Sequence, residues 1–314
     1  MNEKIYNHYI PQFLMKNFSL NGKSIGLYIK KSKRYTENAS IQKICGKDYL
    51  YGKTSKLEDS LCEIEGEWAK IIKKICNSEK LPSNENEKKL LYAFFTISES
   101  RTLYIAEQIE KDFNDVLKND VKYARYLKLN QYEAINMDDT KIKLNIPNLI
   151  PILCAAKLVE SIYDELALVL VVNKTNVSYI LSDYPITKYN PYLLDTANGY
   201  GWKQKGILAF APISPNCMLA LIDEKSYKLR SLWSKKVVIK NKATILELNK
   251  LMALQADKFL LFDNKVSKDY IELITSEKLK DSITDTSKLC ITHFHAKSVK
   301  NKITLPFLKQ RHKR

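Results

Sequence analysis

Residues 7–18 have the sequence Asn-His-Tyr-Ile-Pro-Gln-Phe-Leu-Met-Lys-Asn-Phe, and the rest of the chain is best understood outward from them. This stretch sets His8, Gln12 and Asn17 among aromatic and aliphatic residues, close to a chain end that in most proteins is frayed. Pro11 suits the first position of a helix, so His8 is expected just before a helix begins. The pattern predicts a segment held firmly against a core and makes His8 the first candidate for chemistry.

The composition indicates a globular protein with a large core. The chain has 314 residues, of which 45% are hydrophobic, and no apolar run approaches the roughly 20 residues that cross a bilayer. Residues 1–6 lack the apolar core of a signal peptide, so the expected location is cytoplasmic, without a membrane. We expect one domain over residues 1–263, with a helical excursion at about 57–164, and a C-terminal extension over 264–314 that carries a basic tail.

The charge balance indicates an anionic partner. Lys and Arg number 51 against 35 Asp and Glu, a net charge of +16, and residues 297–314 hold seven basic residues and no acid. Such an excess favours nucleic acid as the partner. The alternatives are the codon bias of an AT-rich genome and a tail that is merely solvated. The six cysteines show no CxxC pair and are expected to be buried, reduced thiols.

Hydrophobic periodicity predicts an α+β fold, with a largely antiparallel sheet and a helical insertion packed on one side. Helical spacing begins at Leu57, continues over 85–117 as one long helix, and returns at 152–164 and 243–257. The segment 166–172 is continuously apolar and is expected to be a central strand, paired in a hairpin with 177–181. Other predicted strands are 24–31, 48–51, 207–212, 217–222, 235–240 and 258–263.

Candidate polar residues occur at three positions along these elements. Glu65 lies on the first long helix, off its apolar stripe or at its border, and Arg101 belongs to a polar patch, 98–102, that interrupts the apolar face of the second. Ser182 and Asp183 leave a predicted buried strand and enter a long aromatic loop, 184–202. The arginine could instead be solvated or paired with its neighbour, and the aspartate could simply cap the turn before Pro185.

These residues carry a family resemblance. With these residues the chain resembles the bacterial domain-of-unknown-function family 4238 over residues 5 to about 263. The resemblance rests on the spaced motif over residues 8–18, Glu65, Arg101-Thr102, Ser182-Asp183-x-Pro185, residues 211–215 and Leu248-Asn249 before Ala256. Lys258 departs from the pattern, where an arginine is expected. The resemblance implies a fold of this kind and no settled activity; members similar to this chain are stand-alone bacterial proteins, some on mobile elements, compatible with phage defence or toxicity.

The first functional hypothesis is a nuclease or other phosphodiesterase. Its candidate catalytic residues are His8 as general acid or base, Glu65 and Asp183 as metal ligands or a second base, and Arg101 to steady phosphate charge. A divalent metal ion is the cofactor compatible with this set. Candidate substrate-binding residues are Gln12, Asn17, Ser182, Tyr184 and Trp202. The chain shows neither a His-Asn-His finger nor a PD-(D/E)xK pattern, and His293 and His295 lack a third metal ligand nearby in the sequence.

The second hypothesis is a nucleic-acid-binding or sensor protein without catalysis. In it the four polar residues form a buried network joining helices to sheet, and the aromatic residues of the 184–202 loop offer a surface for base stacking. A small-molecule enzyme ranks third, because the chain has no Gly-rich phosphate loop and no GxSxG elbow. The structure can separate the first two hypotheses. Catalysis is favoured if His8, Glu65, Arg101 and Asp183 converge in an open cleft, and a structural network is favoured if these residues pair with one another inside the core.

Overall fold

Residues 5–54 form small strands, one short α-helix and a turn of 3-10 helix at Ile41–Lys43. The computed structural model describes residues 5–54, 56–126, 143–192, 201–229 and 235–276, together with the backbone of 308–310. The first elements are β1 (Tyr6–His8), α1 (Gln12–Lys16), β2 (Ser24–Ile29), β3 (Arg34–Ser40) and β4 (Gly46–Asp48). Pro11 precedes α1 directly, and Leu14 and Met15 are buried, so the segment around His8 is held in place as predicted.

Four helices follow in the chain. They are α2 (Lys56–Ser78), α3 (Glu85–Ser100), α4 (Leu103–Tyr126) and α5 (Leu149–Tyr163). α3 packs on α5, and α2 packs on α3, α1 and a strand of the sheet. The buried stripe of α2 follows steps of three, four and seven residues and consists of Leu61, Trp68, Ile71, Ile72 and Ile75. Asn84 begins α3 by accepting hydrogen bonds from the backbone N–H groups of Asn86 and Glu87. Among the described helices, none is both long and apolar enough to span a membrane.

The C-terminal half supplies most of the sheet. Its elements are β5 (Ala167–Asn173), β6 (Leu181–Ser182), β7 (Thr187–Tyr189), β8 (Leu208–Ser214), β9 (Cys217–Ile222), β10 (Tyr227–Leu229), β11 (Lys236–Ile239), α6 (Lys242–Gln255), β12 (Phe259–Phe262), α7 (Lys268–Ile274) and β13 (Leu308–Gln310). A five-stranded sheet has the order β11-β5-β9-β8-β7, and a four-stranded sheet has the order β3-β2-β12-β6. Two-stranded pairs join β1 to β4 and β10 to β13.

The predicted α+β class with a largely antiparallel sheet is confirmed. Among the described residues, every strand pair is antiparallel except β11 with β5. Every residue of β5 and β9 is buried, which explains their continuous apolar sequence. Gly26 allows β12 to pair closely with β2, because a Cβ there would lie 2.3 Å from the Phe262 ring. Packing also extends past residue 263, since Ile271 and Ile274 of α7 are buried.

The predicted hairpin between 166–172 and 177–181 is wrong. β5 pairs instead with β9 and β11, whereas Leu181 pairs with Leu261 in the other sheet. The backbone just before Leu181 makes its hydrogen bonds with other segments. The Tyr179 N–H donates to the Pro215 carbonyl at 2.9 Å, and the Ile180 N–H donates to the Asn249 side chain at 3.2 Å. This segment is therefore the crossing from one sheet to the other.

Other predictions also need correction. The single helix over 85–117 is two helices, the strand at 48–51 lies at 46–48, and β3 was not predicted. The 184–202 segment contains β7, and residues 184–190 are buried. Of the cysteines that the structure describes, Cys45 and Cys217 are buried, but Cys62 and Cys154 are exposed. His293, His295, Cys290 and most of the basic tail lie outside the described residues.

Candidate functional site

Arg101 lies at the break between α3 and α4. No proline or glycine causes the break; the side chain of Asn148 does much to hold it. Its Nδ2 donates to the carbonyls of Ser100 at 2.9 Å and Thr102 at 3.1 Å. The Thr102 hydroxyl donates to the Glu99 carbonyl at 3.0 Å. These bonds satisfy the helix ends and direct the Arg101 side chain toward the N-terminal strands.

The guanidinium of Arg101 has a partner on each side. Nε donates to the Tyr51 hydroxyl at 2.9 Å, Nη1 forms an ion pair with Glu65, and Nη2 donates to the His8 carbonyl at 2.7 Å. Arg101 is 1% exposed, and Glu65 retains 19% exposure. Burial would lower the pKa of Arg101, but Tyr51 and Glu65 outweigh burial and raise it. The arginine therefore stays charged and joins α2, the helix break and β1.

His8 meets this cluster through its backbone rather than its ring. The ring is half-buried, with Nε2 3.1 Å from the Ile41 carbonyl and Nδ1 3.2 Å from Nε2 of Gln12. Because the Ile41 carbonyl can only accept, the network assigns the proton to Nε2, and Nδ1 accepts from Gln12. Burial lowers the pKa of His8, so the neutral imidazole is favoured.

Asp183 lies in a separate, buried position directly after β6. Its carboxylate accepts three backbone N–H groups, from Asp257 at 2.9 Å, Lys258 at 2.6 Å and Phe259 at 3.1 Å. Burial raises its pKa to about 6, and the Lys258 N–H opposes this rise. Within the described residues no hydrogen bond joins Asp183 to His8, Glu65 or Arg101. Three of the four candidate catalytic residues thus meet at one cluster, and the fourth lies apart.

A second buried ion pair lies beside the first, and sequence reasoning missed its lysine. Lys188 Nζ is 2.7 Å from Glu99 Oε1, and the two side chains are 1% and 3% exposed. The Tyr184 hydroxyl donates to the same carboxylate at 3.0 Å. The backbone N–H of Lys188 also donates to Gln255 at 2.9 Å. Burial lowers the pKa of Lys188, and Glu99 opposes that effect.

The candidate substrate-binding residues mostly make internal contacts. The Asn17 side chain donates to the Ile213 carbonyl at 2.9 Å, which ties α1 to β8. The Ser182 hydroxyl donates to the Tyr184 carbonyl at 2.7 Å. Trp202 is 6% exposed and lines a cavity of about 400 Å³. Lys188 Nζ lies over its ring, 4.2 Å from the ring centroid. Since Tyr184, Tyr189 and Trp202 are all buried, this arrangement argues against the predicted stacking surface.

The described residues do not form a metal site. Over the described parts of the chain, no three His, Cys, Asp or Glu side chains form a group that could hold a metal ion. Glu65 is taken by Arg101, and Asp183 accepts from backbone amides. The described donor set therefore does not fit the divalent ion that the phosphodiesterase hypothesis would require.

The arrangement as a whole is suited to holding elements together. Tyr51 and Lys188 complete the two buried pairs, and only the polar position of Lys188 within a buried strand could have indicated its role. Of the candidate catalytic residues in the described part of the chain, His8 has a half-buried ring whose pKa is lowered by burial.

Comparison with known proteins gives a family and nothing finer. No curated protein and no solved structure matches the chain. The sequence model of the family described as protein of unknown function (DUF4238) matches residues 6–266, and these residues include β1, both buried ion pairs and Asp183. The chain therefore belongs to the DUF4238 family.

Proposed function

We propose that the protein binds nucleic acid without cleaving it, and that the buried polar residues hold the binding surface in shape. The observation that carries this proposal is the charge of residues 5–54. They contain nine basic residues against two acidic ones, Glu37 and Asp48; the basic residues are Lys16, Lys23, Lys30, Lys31, Lys33, Arg34, Lys43, Lys47 and Lys53. We call this segment the basic lobe.

The basic lobe is available to an anion. Eight of its nine basic side chains are exposed, and Lys30 is half-buried, with Nζ donating to the carbonyls of Ala253 at 2.9 Å and Ala256 at 2.6 Å. None of the eight forms an ion pair with a residue that the structure describes. By contrast, lysines of α2, α3 and α6 pair with nearby glutamates. Unpaired surface cations of this kind release counterions when they bind phosphates.

The contacts of Arg101, Asp183 and Lys188 support the non-catalytic form of the proposal. Each of the three guanidinium nitrogens of Arg101 donates a hydrogen bond, one to Tyr51, one to Glu65 and one to the His8 carbonyl. A group that is to stabilise a phosphate in a transition state needs donors aimed at the substrate. In this arrangement those donors hold the basic lobe to the helices.

The proposal is tested by fluorescence anisotropy with labelled single- and double-stranded RNA and DNA at several salt concentrations. The double variant Lys31→Glu/Arg34→Glu should weaken binding and reduce the slope of log affinity against log salt by about two. The matched control Lys118→Glu/Lys122→Glu makes the same charge change at exposed positions of α4 and should keep most of the slope. Equal losses in both variants would contradict a specific role for the basic lobe.

A phosphodiesterase is the second candidate, and the His8 ring is the observation that favours it. The ring is half-exposed, neutral and on the basic lobe, so it could accept a proton beside a bound phosphate. Defence against phage, or toxicity, is the biological setting compatible with either candidate. Cleavage of labelled nucleic acid separates the two.

A further inference from the structure

A partly exposed aromatic ring lies on β1, inside the basic lobe. Tyr6 is 36% exposed. Its ring occupies the space that a Cβ at Gly46 would need, since such an atom would lie 2.3 Å from Tyr6 Cε1. The Tyr6 hydroxyl donates to the Lys43 carbonyl at 3.1 Å, and the ring stands at 85° to the His8 ring, with the two centroids 5.1 Å apart. These contacts hold the side chain in one orientation while part of it stays open to solvent.

The strand that supports this ring is firmly placed as well. β4 pairs with β1, and backbone hydrogen bonds extend the pairing at both ends. The Tyr49 N–H donates to the Ile5 carbonyl at 2.7 Å, and the Tyr9 N–H donates to the Cys45 carbonyl at 2.9 Å. Cys45 and Tyr49, which flank β4, have a φ of 53°, a left-handed conformation that residues other than glycine seldom adopt. Strained residues of this kind persist where the surrounding structure holds them, and they concentrate at binding sites.

Positive charge lies beside the ring. Lys43 and Lys47 are exposed members of the basic lobe. The Tyr6 hydroxyl bonds to the backbone of Lys43, and Lys47 follows Gly46 in β4. The acid Asp48 lies opposite Tyr6 in the strand pairing, but the ring reaches past it to Gly46 and Lys43. We therefore expect the phosphate of a nucleotide stacked on the ring to lie on the side of the two lysines.

We propose that Tyr6 is a base-stacking site, and that the basic lobe consequently binds single-stranded nucleic acid in preference to duplex. The inference rests on the proposed binding of nucleic acid and adds which form is bound. An unpaired base can lay its face on an aromatic ring, whereas the bases of a duplex are already stacked on one another. Because the ring is ordered before binding, it loses little conformational freedom when the base arrives.

Fluorescence anisotropy with an unstructured single strand and a duplex of the same length tests the proposal. Tyr6→Leu should weaken binding of the single strand by roughly ten-fold or more, because the stacking of one base is lost. Its affinity for the duplex and its slope of log affinity against log salt should stay close to those of the wild type, since stacking releases no counterions. Tyr6→Phe keeps the ring and should keep the preference for the single strand.

The matched control is Tyr123→Leu, which removes a tyrosine that is 64% exposed on α4, outside the basic lobe. This variant should bind both forms as the wild type does. Circular dichroism checks that each variant is folded. A second measurement needs no variant: a single strand that contains bromouracil is irradiated with the wild-type protein, and the linked peptide is mapped. We expect the cross-link at Tyr6.

Three results would overturn the stacking site while nucleic-acid binding stands. One is a folded Tyr6→Leu variant that binds the single strand as tightly as the wild type does. Another is an equal loss of affinity for the single strand and the duplex in that variant. The third is cross-linking that maps only to peptides without Tyr6. A wild-type protein that binds neither form would instead refute the proposed function, and the stacking site with it.

Discussion

At the scale of single residues, the ion pair of Arg101 governs how the N-terminal strand meets the helices. A nearly inaccessible guanidinium is stable only because each of its nitrogens has an acceptor. Removing the Arg101 side chain leaves the His8 carbonyl and the Tyr51 hydroxyl without this hydrogen-bond donor and leaves Glu65 without its ion-pair partner. The cost of removal therefore measures how far the cluster is structural.

We predict that Arg101→Met lowers the free energy of unfolding by about 3 kcal/mol, since breaking a buried pair from one side exposes its desolvation cost. The measurement is urea denaturation followed by circular dichroism. The control is Lys70→Met, which breaks a surface pair whose lysine is 69% exposed, and should cost less than about 1 kcal/mol. If Arg101→Met is as stable as the control, the cluster does not hold the fold together.

Asp183 gives a prediction about pH. Its pKa is raised by burial from an ordinary 3.8 to about 6, so the folded state binds a proton more readily than the unfolded state. The stabilisation from that proton is complete below the unfolded pKa and is lost as pH rises toward the folded pKa. The stability advantage of the wild type over Asp183→Asn should therefore fall, by on the order of 2–3 kcal/mol, from about pH 4 to about pH 7.

Urea denaturation of both proteins across this pH range measures the difference directly, and other titrating groups cancel in the comparison. An advantage that grows with pH would mean that the three backbone N–H groups outweigh burial and lower the pKa of Asp183. That outcome would contradict a raised pKa and would make the aspartate an ordinary, ionised turn cap.

At the scale of elements, the break between α3 and α4 places Arg101, and Asn148 supports the break. Asn148 is fully buried, and it is the hydrogen-bond donor to the carbonyls of both Ser100 and Thr102. We predict that Asn148→Ala costs about 2 kcal/mol of unfolding free energy, because both carbonyls lose that donor. Asn145→Ala, at an exposed position three residues earlier, should change stability by less than about 0.5 kcal/mol. Similar losses for the two would show that the break is held by other contacts.

The sequence predicts some elements and misses others for physical reasons. The stripe of α2 follows a helical period, so it could be found from spacing alone. The break at Arg101 could not, because the Asn148 side chain that bonds to both sides of it lies 47 residues later in the chain. The failed hairpin has a similar origin, since Asn249 and Pro215 capture the backbone of the crossing segment.

At the scale of the whole molecule, the charge is unevenly distributed. The basic lobe carries nine basic residues against two acidic, whereas α4 carries four basic residues and five acidic ones. A local excess of exposed positive charge attracts anionic polymers. The net charge of +16 does not say which cations are accessible, and the fold shows which of them are exposed and unpaired among the described residues.

The buried polar clusters could be predicted only in part. The sequence singles out His8 and Arg101 as polar residues within apolar patterns and Glu65 through the family resemblance, and the fold brings the three together. Lys188 and Tyr51 were missed, because a lysine or tyrosine in a short strand or turn looks like a solvated residue. Whether such residues face solvent or each other depends on tertiary packing, which residue types alone do not specify.

Binding of nucleic acid without cleavage is the central claim, and a single assay tests it most directly. Labelled single- and double-stranded RNA and DNA are incubated with purified protein in Mg²⁺, Mn²⁺ or chelator, beside His8→Ala and Asp183→Asn. We predict salt-sensitive binding by all three proteins and intact nucleic acid under every condition. Cleavage by the wild type that is lost in folded His8→Ala would contradict the claim and make His8 the general acid or base of a phosphodiesterase.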